Sequence, residues 1–132
     1  MNANEEAAAV LSKYEAALNA SDTDAVMTLY AEDSVYMPAY SQSAVGAAAV
    51  RKAYDALFKA TTLSIKFHVA EFVEVGSGWV FARSNSAETM TEHATGTKSA
   101  VENQELFIFK KDVDEKWKIA RYSFSSTNPL PK

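Results

Sequence analysis

The sequence predicts an α+β domain, with helices first and long antiparallel strands afterwards. Three observations carry this. Apolar residues recur at helical spacing up to Ala60, and the period drops to two after Thr61. Breakers are also scarce, with 4 Gly and 3 Pro in 132 residues, so the elements should be long.

Asn2 or Asn4 can cap a first helix, and Glu5 and Glu6 suit its positive end. Ala7, Val10, Leu11, Tyr14 and Leu18 then form one apolar stripe, with Lys13, Glu15 and Asn19 off it. Ser21-Asp22-Thr23-Asp24 ends this helix and caps a short second one, whose inward face is Val26, Leu29 and Tyr30. Val35-Tyr36-Met37-Pro38 reads as a short strand closed by proline, followed by a loop through Ser43. A third helix runs from about Gly46 to Ala60, with Ala47, Val50, Tyr54, Leu57 and Phe58 as its stripe.

Beyond Thr61, Leu63, Ile65, Phe67 and Val69 alternate with Ser64, Lys66, His68 and Ala70. The alternation slips near Glu71-Phe72, which predicts a bulge or bend. Gly76-Ser77-Gly78 is a turn, and further strands fit Trp79 to about Met90, Val101 to Lys110 and Trp117 to about Ser126. The tail Ser125–Lys132 leaves the sheet and is expected over a partner subunit or a pocket mouth. Long twisted strands with a bend curve over the helices, so side chains of both layers converge on the space between them.

Composition narrows the function classes. The length fits one domain over residues 1–132, and 48% hydrophobic with 23% charged residues is ordinary for a globular chain. With no Cys, disulfides and thiolate chemistry are excluded. The net charge of −4 argues against nucleic acid as a partner. No apolar run approaches the ~20 residues of a membrane span, and the acidic start Met1–Glu6 is unlike a signal peptide. The expected setting is cytoplasmic. No phosphate loop, G-x-S-x-G or dinucleotide fingerprint is present, and neither His68 nor His93 stands at metal-ligand spacing; pairing of His68 with Glu71 or Glu88 could arise only through folding. No metal and no cofactor are expected.

Several segments together resemble the nuclear-transport-factor-2-like superfamily, which includes ketosteroid isomerases and SnoaL-like polyketide cyclases. They are Tyr14–Asp24, Leu29–Val35, Val45-Gly46 with Ala49-Val50-Arg51, Asn103–Phe109 and Trp117–Phe124. The resemblance covers nearly the whole chain. It implies a cone, in which a curved antiparallel sheet wraps three helices around a pocket at the open end. It also implies a homodimer packed through the outer face of the sheet. The fold hosts enzymes, carriers and association modules, so it assigns no activity by itself.

Ketosteroid isomerases use an Asp base, with a Tyr and a protonated Asp as donors to the oxyanion. By resemblance, Tyr14 falls at the oxyanion tyrosine and Glu105 near the second acid. These two are the candidate catalytic residues. The base position falls on Met37, whose thioether accepts no proton at neutral pH, so another carboxylate or His68 would have to substitute. A tyrosine on an apolar stripe is equally explained as core with its hydroxyl tied to a neighbour. Tyr30, Tyr54 and Phe58 read as pocket wall or core.

Alternation puts Val101, Asn103, Glu105, Phe107 and Phe109 on one strand face, and Trp79, Phe81, Arg83 and Asn85 on one face of the preceding strand. If these faces coincide, Arg83, Asn85, Asn103 and Glu105 form a polar cluster in an aromatic-lined cavity. That cluster is either an Arg–Glu pair ordering the sheet or a ligand site in which Arg83 takes an anionic or carbonyl oxygen. The resemblance turns Tyr122 and Phe124 toward the cavity and Arg121 toward the dimer side. The candidate ligand-binding residues are therefore Met37, Tyr54, Phe58, Phe81, Arg83, Asn85, Asn103, Tyr122 and Phe124. Three functions compete: a small-molecule enzyme of isomerase, cyclase or hydratase type, a carrier with the same pocket, and a homodimeric association domain. For the first, Glu105→Gln is expected to abolish turnover if Glu105 is the working acid.

Overall fold

The computed structural model describes residues 1–129. Three helices, α1 (Ala3–Asn19), α2 (Thr23–Met27) and α3 (Ala47–Ala60), pack against one sheet. The strands are β1 (Tyr30–Met37), β2 (Ala44–Val45), β3 (Thr61–Gly76), β4 (Trp79–Glu92), β5 (Lys98–Lys111) and β6 (Trp117–Ser126), in the order β2-β1-β6-β5-β4-β3. The α+β class is as the sequence predicts, and the curved sheet is open rather than closed. It is mixed, however, because β1 runs parallel to β6, with Tyr36 opposite Tyr122.

Helix α1 starts on a capping box: Asn2 Oδ1 accepts from Glu5 N at 2.9 Å, and Glu5 Oε1 accepts from Asn2 N at 3.3 Å. Its polar residues have a structural task. Asn19 bonds both the N–H and the C=O of Ile65, at 2.7 and 3.0 Å, and Glu15 accepts from Phe67 N at 2.8 Å. β3 is an edge strand, so these bonds cover backbone groups that would otherwise be open.

Tyr30 opens β1 instead of ending the second helix. Spacing Val26, Leu29 and Tyr30 fits either element, but Asp22 caps only five helical residues, and Ile119 N donates to Leu29 O at 2.7 Å, drawing the chain into the sheet. The expected slip in β3 lies between Val69 and Glu71. It switches the buried set from Leu63, Ile65 and Phe67 to the even-numbered Phe72, which packs against the core.

The face of β4 needs correcting, whereas Asn103, Glu105, Phe107 and Phe109 of β5 are buried as expected. The ladder sets Ser84 opposite Glu105 and Ser86 opposite Asn103. Directly opposed residues share a face, so Val80, Ala82, Ser84 and Ser86 point inward and are buried. Trp79, Phe81, Arg83 and Asn85 therefore line the outer face. The two aromatics made that face look internal, whereas the space beneath the helices requires small side chains on this strand. The core instead takes its rings from β5 and β6: Phe107 lies flat on Tyr122, centroids 4.1 Å apart and 7° between planes, and beside Phe109 at 5.7 Å.

Candidate functional site

Between the helices and the sheet lies a cavity of about 710 Å3. α1 contributes Tyr14 and Leu18, β1 and its following loop contribute Tyr36 and residues 38–42, and α3 contributes Ala53, Tyr54, Ala56 and Leu57. The sheet adds Leu63 and Ile65 from β3, Glu88 and Met90 from β4, Val101 and Asn103 from β5, and Tyr122, Phe124 and Ser126 from β6. Ser126 and Asn128 put the described part of the tail at this cavity; Leu130, Pro131 and Lys132 of the expected tail lie outside the described residues.

One end of the cavity holds three linked phenols. Tyr54 Oη lies 2.5 Å from Tyr14 Oη and 2.6 Å from Tyr30 Oη. Three hydroxyls carry three protons, and two bonds use two of them. Either hydroxyl of each pair can donate; when the chain runs Tyr30 to Tyr54 to Tyr14, the remaining proton is on Tyr14, which lines the cavity together with Tyr54. Burial is the first cause pushing the phenol pKa values of Tyr14, Tyr30 and Tyr54 upward, so all three stay protonated and remain donors. Tyr36 stacks on Tyr54 at 4.7 Å and on Tyr122 at 5.8 Å, giving the cavity a flat aromatic wall.

The sheet side carries two carboxyls. Glu105 is buried at 5% exposure, and its two oxygens accept from Ser84 Oγ and Ser86 Oγ at 2.6 Å each. Burial raises its pKa and the two serine bonds oppose that rise. Glu88, two residues beyond Ser86 on the same face, reaches the cavity wall, where Asn103 Nδ2 donates to its Oε1 at 3.4 Å. Burial foremost, and then the Glu105 charge, push the Glu88 carboxyl up; the Asn103 bond opposes them.

Of the residues named from sequence, the cavity wall thus brings together Tyr14, Tyr54, Asn103, Tyr122 and Phe124. Glu105 stands behind that wall, in the serine pocket. Met37 falls opposite Ser123 on the other face of the sheet, and Tyr36 takes the inward place one residue earlier. Phe58 packs beside Tyr54 at 5.9 Å within the core. Phe81, Arg83 and Asn85 are on the outer face, where Arg83 pairs with Glu71 rather than Glu105. His68 lies opposite Asn85 on that same face. His93 Nδ1 donates to Lys59 O at 2.8 Å, which leaves Nε2 to accept from Thr62 Oγ1 at 2.7 Å. Among the described residues no group of three or more His, Asp or Glu is placed to hold a metal ion. No helix of the described chain is long and apolar enough to cross a membrane.

Glu88 is the residue that sequence reasoning missed, having weighed it only as a distant partner of His68. Its signal was present: counted from Val80, alternation runs through Ala82, Ser84 and Ser86 to Glu88 and Met90.

Helices cradled in a curved mixed sheet, with an aromatic cavity between the layers, define a class of small α+β pocket proteins. The profile of the SnoaL-like domain family matches residues 11–121, and the chain belongs to that family. It is similar to a solved ketosteroid isomerase-like protein from Erwinia carotovora atroseptica SCRI1043, at 31% identity and a TM-score of 0.87, covering 92% of this chain and 93% of that one. A nuclear transport factor 2-like superfamily protein from Salmonella enterica serovar Typhimurium LT2 shares the fold at 13% identity, with a TM-score of 0.85 over 97% of this chain and 93% of that one. An NTF-2 like protein of unknown function from Shewanella oneidensis MR-1 does so at 17% identity, with a TM-score of 0.73 over 92% and 97%. No curated protein matches the chain in sequence.

Proposed function

We propose that the cavity binds a compact, largely apolar organic molecule through one hydrogen-bond-accepting oxygen, and that it supports isomerase- or cyclase-type acid–base chemistry on it. The observation that carries this reading is the set of three linked phenols, whose two bonds use two of three protons, with Tyr14 and Tyr54 facing a largely apolar cavity where Tyr14 can present the third. A buried donor without an acceptor is costly, and a carbonyl or phenolate oxygen would satisfy it. Such a donor also stabilises negative charge developing on oxygen when a neighbouring carbon loses a proton. The name of the Erwinia relative points to the same class of chemistry.

The test is direct. 2-Naphthol is expected to raise the melting temperature of the wild-type protein, since a ligand of the native state stabilises it. Tyr14→Phe should weaken that binding about tenfold, in line with the roughly 1–1.5 kcal/mol of one hydrogen bond. Naphthalene, which has no oxygen, should bind both proteins alike. If 2-naphthol and naphthalene bind the wild type equally, or neither binds, the reading fails.

A second observation favours a homodimer. Trp79 and Leu106 are each 44% exposed on the outer sheet face, where Phe81 and Ile108 stand opposite each other. A second copy of this chain would cover that apolar stripe. Light scattering should give twice the chain mass, and Trp79→Lys should return the monomer. A monomeric wild type at tens of micromolar would remove the proposal.

A further inference from the structure

The ligand reading leaves unassigned the group that would move the proton. Met37 is on the wrong face of the sheet, and the phenols are donors, not bases. Among the described residues that line the cavity, Glu88 is the only charged one. The other inward carboxyl, Glu105, comes from the adjacent strand. Each of its oxygens accepts a serine hydroxyl at 2.6 Å, and it stands behind the cavity wall rather than in it. Asn103, two residues from Glu105 on the same strand face, orients Glu88 at 3.4 Å. One carboxyl is therefore locked and one is open.

We propose that Glu88 is the residue that takes and returns protons at carbon in this cavity, with the serine-locked Glu105 as a positioning residue acting on it from behind. This rests on the ligand reading above. With a ketone oxygen on the Tyr14 hydroxyl, the Glu88 carboxylate removes a proton from the carbon beside the carbonyl. The C–H pair becomes the new C=C bond, and the carbonyl π pair moves onto oxygen as an enolate held by Tyr14. The carboxylic acid so formed returns the proton. Return to the same carbon exchanges it with solvent, and return two carbons further along a conjugated chain isomerises the double bond. No other reactant is consumed.

Geometry also sets the pH dependence. The groups facing Glu88 are Glu105 and Asn103 on β5, Tyr36 on β1, Tyr122 on β6, and across the cavity Tyr14 on α1 and Tyr54 on α3. No cation is among them. Burial and the Glu105 charge disfavour the Glu88 carboxylate, which makes it a stronger base once formed. Removing the Glu105 charge lowers the pH at which that carboxylate forms.

The test uses 2-tetralone in D2O, with loss of the protons beside its carbonyl followed by proton NMR and binding followed by shift changes. The wild type should exchange faster than buffer, with a rate that rises with pH to a plateau. Glu88→Gln should still bind and should lose about 100-fold or more in exchange. Glu88→Asp, which keeps a carboxyl, should recover part of it. Glu105→Gln should retain exchange with its pH midpoint moved lower, in contrast to the abolished turnover expected from sequence. Failure of the wild type to bind overturns the ligand reading and this assignment with it. Binding without exchange, or exchange untouched by Glu88→Gln in a folded variant, overturns the assignment alone. An unmoved midpoint in Glu105→Gln removes the positioning role.

Discussion

Phe107→Ala is expected to destabilise the protein by about 3–5 kcal/mol, the range for removing a fully buried aromatic ring. Phe107 has 0% exposure and is stacked on Tyr122, alongside Phe109, while the edges of Tyr14 and Phe67 meet it at 5.9 and 5.8 Å. Its neighbours come from α1, β3 and β6, so no single element can shift to fill the void. The transfer and cavity contributions therefore both apply. Urea unfolding should show a lower midpoint with an unchanged slope. A loss under 1 kcal/mol would mean that this ring is not the junction between the helix layer and the sheet.

Tyr54→Phe should have the second largest effect, although it removes one oxygen atom and almost no volume. Its hydroxyl is the shared partner of Tyr14 and Tyr30, and both would be left without it in a buried site. An orphaned buried hydroxyl costs about 1–3 kcal/mol, and here there are two. Tyr30→Phe removes a terminal member and leaves the bond between Tyr54 and Tyr14 intact, so it should cost less. Equal stability of Tyr54→Phe and Tyr30→Phe would contradict a chain centred on Tyr54. The affinity for 2-naphthol should fall as well, because the donor presented by Tyr14 is held in place by Tyr54.

Much of this architecture could be read from residue order. The stripe of α1, the bulge after Val69 and the turn at Gly76–Gly78 each follow from one local period or one breaker. What escaped reading depends on strand register. Trp79 and Phe81 are large and apolar, so alternation alone made their face internal, yet the ladder turns Ser84 and Ser86 inward because small hydroxyls fit against Glu105. A one-residue error of this kind inverts every assignment on the strand. It placed Arg83 inside and hid Glu88. Tyr14 and Glu105 were legible as inward residues, but their partners were not. Tyr54 and the two serines come from sequence positions 40 and about 20 residues away, and nothing local announces them.

The parallel pairing of β1 with β6 has a consequence for how the chain is made. β1 is complete at Met37, but it must wait for Trp117–Ser126 to emerge from the ribosome before it has a long partner. Until then β1 has only the two residues of β2 as a strand partner, and the ring of Tyr36 has no Tyr122 to stack on. The aromatic cavity is thus among the last parts of the molecule to close, and nascent chains cut short before β6 should expose its tyrosines to chaperones and proteases.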